Sequence, residues 1–113
     1  MMIKAAVLSS LVSSVALAAD STFLVLSNGQ ESCGQYLSSD WQEQVIDSIW
    51  ILGYISGVNS RAPGGDRLVG RSFTDGPTVI MWLRNYCQSH ALDLLPSAAE
   101  ALRAEFSKRE SAR

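Results

Sequence analysis

Asp40-Trp41-Gln42-Glu43-Gln44-Val45-Ile46-Asp47-Ser48-Ile49-Trp50-Ile51-Leu52-Gly53-Tyr54-Ile55-Ser56-Gly57-Val58-Asn59 is the longest helical pattern in the chain. Ser39 or Asp40 supplies an N-cap, and Glu43, three residues beyond Asp40, has the spacing of a capping box. Trp41, Val45, Ile49, Leu52 and Ser56 recur at helical spacing, with Ile46, Trp50 and Tyr54 beside them. Beyond Val45 apolar residues cover more than half of the circumference, which predicts a helix at the buried centre of the fold, ending near Asn59. Asp40, Glu43 and Asp47 fall on one face at i, i+3 and i+7 and read as a solvated face. Gly53 and Gly57 each cost about 1 kcal/mol relative to Ala in a helix. Such a pair predicts close packing by another helix or an aromatic ring.

Outward from this segment the chain remains helical. On its N-terminal side, Ser32 to Leu37 reads as a short helix with Cys33 and Leu37 on one side. Phe23-Leu24-Val25-Leu26 before it is a short strand or an extended arm. On the C-terminal side, Pro63-Gly64-Gly65 breaks the helix and opens an irregular segment from Arg61 to Asp75. A third helix starts at Thr74-Asp75 with Pro77 in its first turn, where a missing N–H costs nothing. Val79, Leu83, Tyr86 or Cys87, and His90 mark its face. A fourth starts near Asp93 with Pro96 in its first turn and a stripe of Leu95, Ala98, Ala99, Leu102 and Phe106. Lys108 to Arg113 reads as a charged, frayed tail. The expected fold is all-α, a small bundle of about four helices.

The chain has 113 residues, enough for one domain. Lys4 followed by the apolar run Ala5 to Val15 and the small residues Ala16-Leu17-Ala18 fits a cleavable secretory signal over residues 1–18. The mature domain is then 19–113, periplasmic or secreted. The run is short of the ~20 apolar residues of a membrane span, and no Cys follows the cut to carry a lipid anchor. The net charge is −2 and the leader's only charge is Lys4, so the mature chain is slightly more acidic still. That balance argues against nucleic acid as a partner. Two cysteines, Cys33 and Cys87, suggest one disulfide in an exported domain. Free thiols or a bridge between chains are the alternatives. An intrachain bridge of that loop length is worth about 4 kcal/mol.

Residues that suggest chemistry have plainer readings. Gly65-Asp66-Arg67-Leu68-Val69-Gly70-Arg71-Ser72 approaches a Walker A loop, but Arg71 stands where Lys belongs and a helix, not a strand, precedes it. Cys87 and His90 lack the further ligands zinc needs. Trp50 and Trp82 lie in apolar runs and read as core; Trp41 is ambiguous. No carboxylate pair reads as a hydrolase site, so neither an enzyme nor a cofactor is expected. The Arg61–Asp75 loop is the candidate partner surface. It is long and charged, and Arg61, Asp66, Arg67 and Arg71 offer contacts to a protein, the arginines as bidentate donors.

Cys33-Gly34-Gln35-Tyr36-Leu37, Trp50-Ile51-Leu52-Gly53-Tyr54-Ile55-Ser56-Gly57, Trp82-Leu83-Arg84-Asn85-Tyr86-Cys87 and Ala98-Ala99-Glu100-Ala101-Leu102 follow in one order. That order resembles the small periplasmic immunity proteins that protect against the peptidoglycan amidase toxins of type VI secretion. More loosely it is similar to the periplasmic acid-resistance chaperones. The resemblance spans Cys33 to Phe106. It implies the Cys33–Cys87 bridge, the glycine-containing central helix and the four-helix bundle. It also implies a non-enzymatic protein that occludes a toxin's active site, alone or as a homodimer. Contact residues do not transfer. Ala91 departs from the pattern, in which proline often follows this cysteine step. The alternatives are an acid-stress chaperone, or another exported structural or binding role.

Protein recovered from the periplasm is expected to begin at or next to Ala19 on N-terminal sequencing; an intact Met1 form in the cytoplasm contradicts the leader.

Overall fold

The computed structural model describes residues 23–112. The leader and its cut after Ala18 lie outside the described residues, as does Arg113. Four α-helices carry the fold: α1 (Cys33–Ser38), α2 (Trp41–Arg61), α3 (Gly76–Gln88) and α4 (Leu95–Ser111). Single 3-10 turns lie at Ser27–Gln30 and Gly64–Leu68. Residues 23–26 are an extended arm.

Local chemistry sets the helix ends. Asp40 caps α2 by accepting from the Glu43 amide at 2.9 Å. The complete reciprocal box forms at α1, where Ser32 Oγ accepts from Gln35 N and Gln35 Oε1 accepts from Ser32 N. Asp75 caps α3, accepting from Thr78 N at 2.7 Å, and Pro77 sits in the first turn. α4 begins at Leu95 with Pro96 in its first turn and runs to Ser111, so Lys108 to Ser111 of the expected frayed tail are helical.

α4 lies along α2, and α1 lies on α3. All five residues of the expected α4 stripe are buried, with Val79, Ile80, Leu83, Ile51 and Ile55 against them. Cys33 and Cys87, 54 residues apart, are bridged and fully buried, joining α1 to α3 with 4.9 Å between their Cα atoms. Backbone bonds surround the bridge: Cys33 N donates to Asp93 O, Gly34 N to Ala91 O, and Leu95 N to Glu31 O. The Tyr36 hydroxyl, inside the core, donates to Ile80 O at 3.3 Å.

The buried face of α2 differs from the expected one. It consists of Gln44, Asp47, Ser48, Ile51 and Ile55, while Trp41, Ile49 and Ser56 are exposed. With apolar residues on every side, the helix orients by its polar groups as well. Gln44 Nε2 donates to the Tyr36 and Ser39 carbonyls, and Ser48 Oγ donates to Val45 O. This rotation turns Gly53 and Gly57 outward. A Cβ on either would meet nothing within 4 Å, so none of the described residues packs closely over them, contrary to expectation. The crowded glycine is Gly29, where a Cβ would strike Val25 and come within 2.7 Å of the Trp50 ring.

Asp47 is also no part of a solvated face. It is fully buried, and its Oδ1 accepts from Asn28 Nδ2 at 2.7 Å. Its Oδ2 and Glu31 Oε2 are both withdrawn from water and have no other donor. A protonated Glu31 carboxyl can donate to Asp47, whereas its ionised form cannot and is opposed by the charge of Asp47. Burial, then the bond to Asp47 and its charge, then the charge of Glu43, push Glu31 up to about 7. Between the ordinary value of 4.5 and about 7 the native state therefore binds more protons than the unfolded chain, and stability falls as pH rises through that window.

Denaturant unfolding from pH 5 to pH 8 is expected to lose on the order of 1 kcal/mol after allowance for solvent screening. Glu31→Gln, which donates to Asp47 without titrating, should flatten the slope; an unchanged slope places the proton elsewhere.

Candidate functional site

The segment between α2 and α3 is clamped to the scaffold at several points. Asn59, in the last turns of α2, donates through Nδ2 to Val69 O at 2.7 Å and accepts through Oδ1 from Arg103 Nε at 2.9 Å. Arg103 of α4 also donates to Asp66 O at 2.8 Å. Val69 is buried, and Gly70 takes a left-handed turn, φ 106°, over Phe106. Glu110, in the last turn of α4, accepts from Gly70 N at 3.2 Å, from Ser72 N at 2.8 Å and from the Ser72 hydroxyl. The side chain of Glu110 is 5% exposed. Burial alone would raise its pKa. The bonds from Ser72 and Gly70, with the nearby Arg71, outweigh that and hold the carboxyl below its ordinary range.

The four residues singled out from the sequence divide on this frame. Arg61 and Arg67 are exposed and have no ion-pair partner among the described residues. The Asp66 side chain is exposed while its carbonyl serves the clamp. Arg71 is partly engaged: its Nη1 donates to Leu68 O at 3.2 Å and lies 3.6 Å from Glu110 Oε1. Two apolar residues missed in the sequence reading stand beside them, Leu68 at 63% and Phe73 at 42% exposure. Ser56, Asn59, Ser60, Arg67 and Leu68 line one depression. Phe73 separates a second, over Leu52, Val69 and Phe106, from a third, over Val79, Trp82 and Leu102. The result is a mixed surface of arginine, aliphatic and aromatic groups on a fixed backbone.

The other sequence features resolve more simply. Cys87 is in the disulfide, and His90, beyond α3, stacks on Tyr86 with ring centroids 4.0 Å apart. Its Nδ1 lies 2.8 Å from Tyr86 O. The Walker-like run is a 3-10 turn and its sequel, following α2. Trp50 and Trp82 are half-buried, and Trp41 is exposed. Among the described residues no three His, Cys, Asp or Glu side chains are grouped to hold a metal ion. Comparison of the chain with protein-family models, characterised proteins and solved structures returns no match.

Glu110→Ala is expected to cost about 1–3 kcal/mol, since it strips the acceptor from two loop amides. Trypsin should then cut faster after Arg67 and Arg71 while the helical circular dichroism stays the same. A depressed carboxyl contributes stability that is present above 4.5 and lost as pH falls through its folded value, so acid should have the same effect on the loop. Unchanged cleavage in the variant removes the clamp from the argument.

Proposed function

We propose that this is an exported, non-enzymatic binding protein of the periplasm that neutralises a cell-wall-degrading toxin. It would lay the Arg61–Asp75 loop over the toxin's active site, as the immunity proteins it resembles occlude amidases. The observation that carries this reading is the clamp. A loop held by Asn59, Arg103 and Glu110 presents Arg61, Arg67, Leu68 and Phe73 with little ordering left to do on binding. Arginine and aromatic groups are the side chains on which interface energy concentrates. The buried disulfide suits an oxidising compartment. Among the described residues no helix is long and apolar enough to cross a membrane.

The acid-stress chaperone has less support. Such a protein must loosen when its carboxylates gain protons. Glu31 responds in the opposite sense, since its raised pKa makes acid stabilising, and Glu110, which does lose its bonds in acid, frees only the loop.

The test begins with capture of a partner from a cell-envelope extract by the purified protein. Arg67→Ala and Leu68→Ala are each expected to weaken the captured complex at least tenfold, about 1.4 kcal/mol, with little change in melting temperature. The partner's peptidoglycan amidase activity should stop at one equivalent of the intact protein. Unaltered affinity in both variants removes the loop from the interface, and a partner without cell-wall activity removes the toxin.

A further inference from the structure

The outward face of α2 carries a second surface, which meets the loop surface at Arg61 and Leu68. Gln42, Ile46, Ile49, Gly53, Ser56 and Ser60 follow one another at alternating spacings of four and three, the seam of a coiled coil. All six are exposed, with Ile46 at 45% and Ile49 at 64%, and Gly57 is open beside them. The seam is graded along its length, with isoleucines in the N-terminal half and only glycine and serine in the C-terminal half. Two exposed helical glycines cost about 2 kcal/mol in propensity, and no contact among the described residues offsets that cost.

We propose that this face is the interface of a homodimer in which the α2 helices of two copies pack antiparallel about a two-fold axis at the level of Leu52. A two-fold interface must be complementary to itself. At this register Ile49 of one copy enters the hole between Gly53 and Gly57 of the other. Ile46 enters the hole between Ser56 and Ser60. Each large residue meets a gap, and each gap is filled.

Charge selects the same register. Glu43 and Arg61 are both exposed and lie five helical turns apart on one line of α2, at ~3.6 residues per turn. A two-fold axis at Leu52 brings Glu43 of each copy to Arg61 of the other, along the same flank of the seam. One placement thus satisfies the isoleucines, the glycines and the ion pairs. Leu68, 63% exposed and beside Ser56 and Ser60, extends the apolar contact at each end. The glycines let the two backbones approach closely, and the antiparallel arrangement opposes the helix dipoles favourably.

The experiment is sedimentation equilibrium of the purified protein over a concentration series, without any partner added. The expected mass is that of two chains. Gly57→Leu fills an open position, so it should keep the helical spectrum and melting transition of a folded monomer while weakening dimerisation at least tenfold. Glu43→Arg and Arg61→Glu should each weaken the dimer, and the double variant Glu43→Arg/Arg61→Glu, which restores both pairs with their signs exchanged, should recover it. A monomer at every concentration overturns the proposal. So does a dimer that Gly57→Leu leaves intact, or single charge variants that the double variant fails to rescue. None of these outcomes depends on a toxin.

Discussion

A helix of six residues has no stability of its own in water, yet α1 holds the N-terminal part of this fold in place. The bond between Cys33 and Cys87 makes that arrangement permanent. It fixes one end of α1 against α3, and the turn from Ala91 to Leu95 closes around the joint through three backbone hydrogen bonds. Tyr36 can then reach Ile80 through the core, and its carbonyl can accept from Gln44 on α2. Without the staple, α2 would lose the partner that satisfies its buried amide, and the polar half of its inner face would have no reason to turn inward. The bridge thus supports the face that α2 turns inward through Gln44, alongside the bond from Asn28 to Asp47.

That dependence explains what the amino-acid order revealed and what it concealed. The buried face of α4 was readable to the residue, though its ends were not, because Leu95, Ala98, Ala99, Leu102 and Phe106 are apolar against a polar remainder and periodicity alone selects the face. The start of α3 was readable for a different reason, since Asp75 and Pro77 act within one turn. α2 was readable as a helix but not in its orientation. Apolar groups surround it, and the deciding residues, Gln44, Asp47 and Ser48, are polar ones with acceptors or donors far away in sequence or on the helix itself. The nearness of Glu31 to Asp47 was hidden in the same way, because Glu31 lies between the first 3-10 turn and α1 and no spacing rule links it to Asp47. The loop was legible as a charged, irregular segment, but its rigidity was not. Asn59, Arg103 and Glu110 belong to two helices, and Glu110 lay in what read as a frayed tail.

The two surfaces draw on different resources. The outer face of α2 is regular secondary structure, and its shape is fixed by the helix. The loop is irregular, and its shape is fixed by side chains reaching in from the ends of two helices. Glu110 also sits where an acidic group opposes the helix dipole, and the amides of Gly70 and Ser72 compensate it there.

The clamp has a consequence for how such a protein diversifies. Its fasteners engage backbone atoms, the carbonyls of Asp66 and Val69 and the amides of Gly70 and Ser72, along with one hydroxyl. Backbone atoms are the same whatever side chain is attached. Positions such as Arg67 and Leu68 can therefore be exchanged freely while the frame that displays them is retained. Lengthening the stretch between Arg61 and Gly65 costs little in closure entropy, which grows only as the logarithm of loop length. The displayed side chains can then drift at a pace the core does not share, and lineages built on this frame would diverge first between residues 61 and 68.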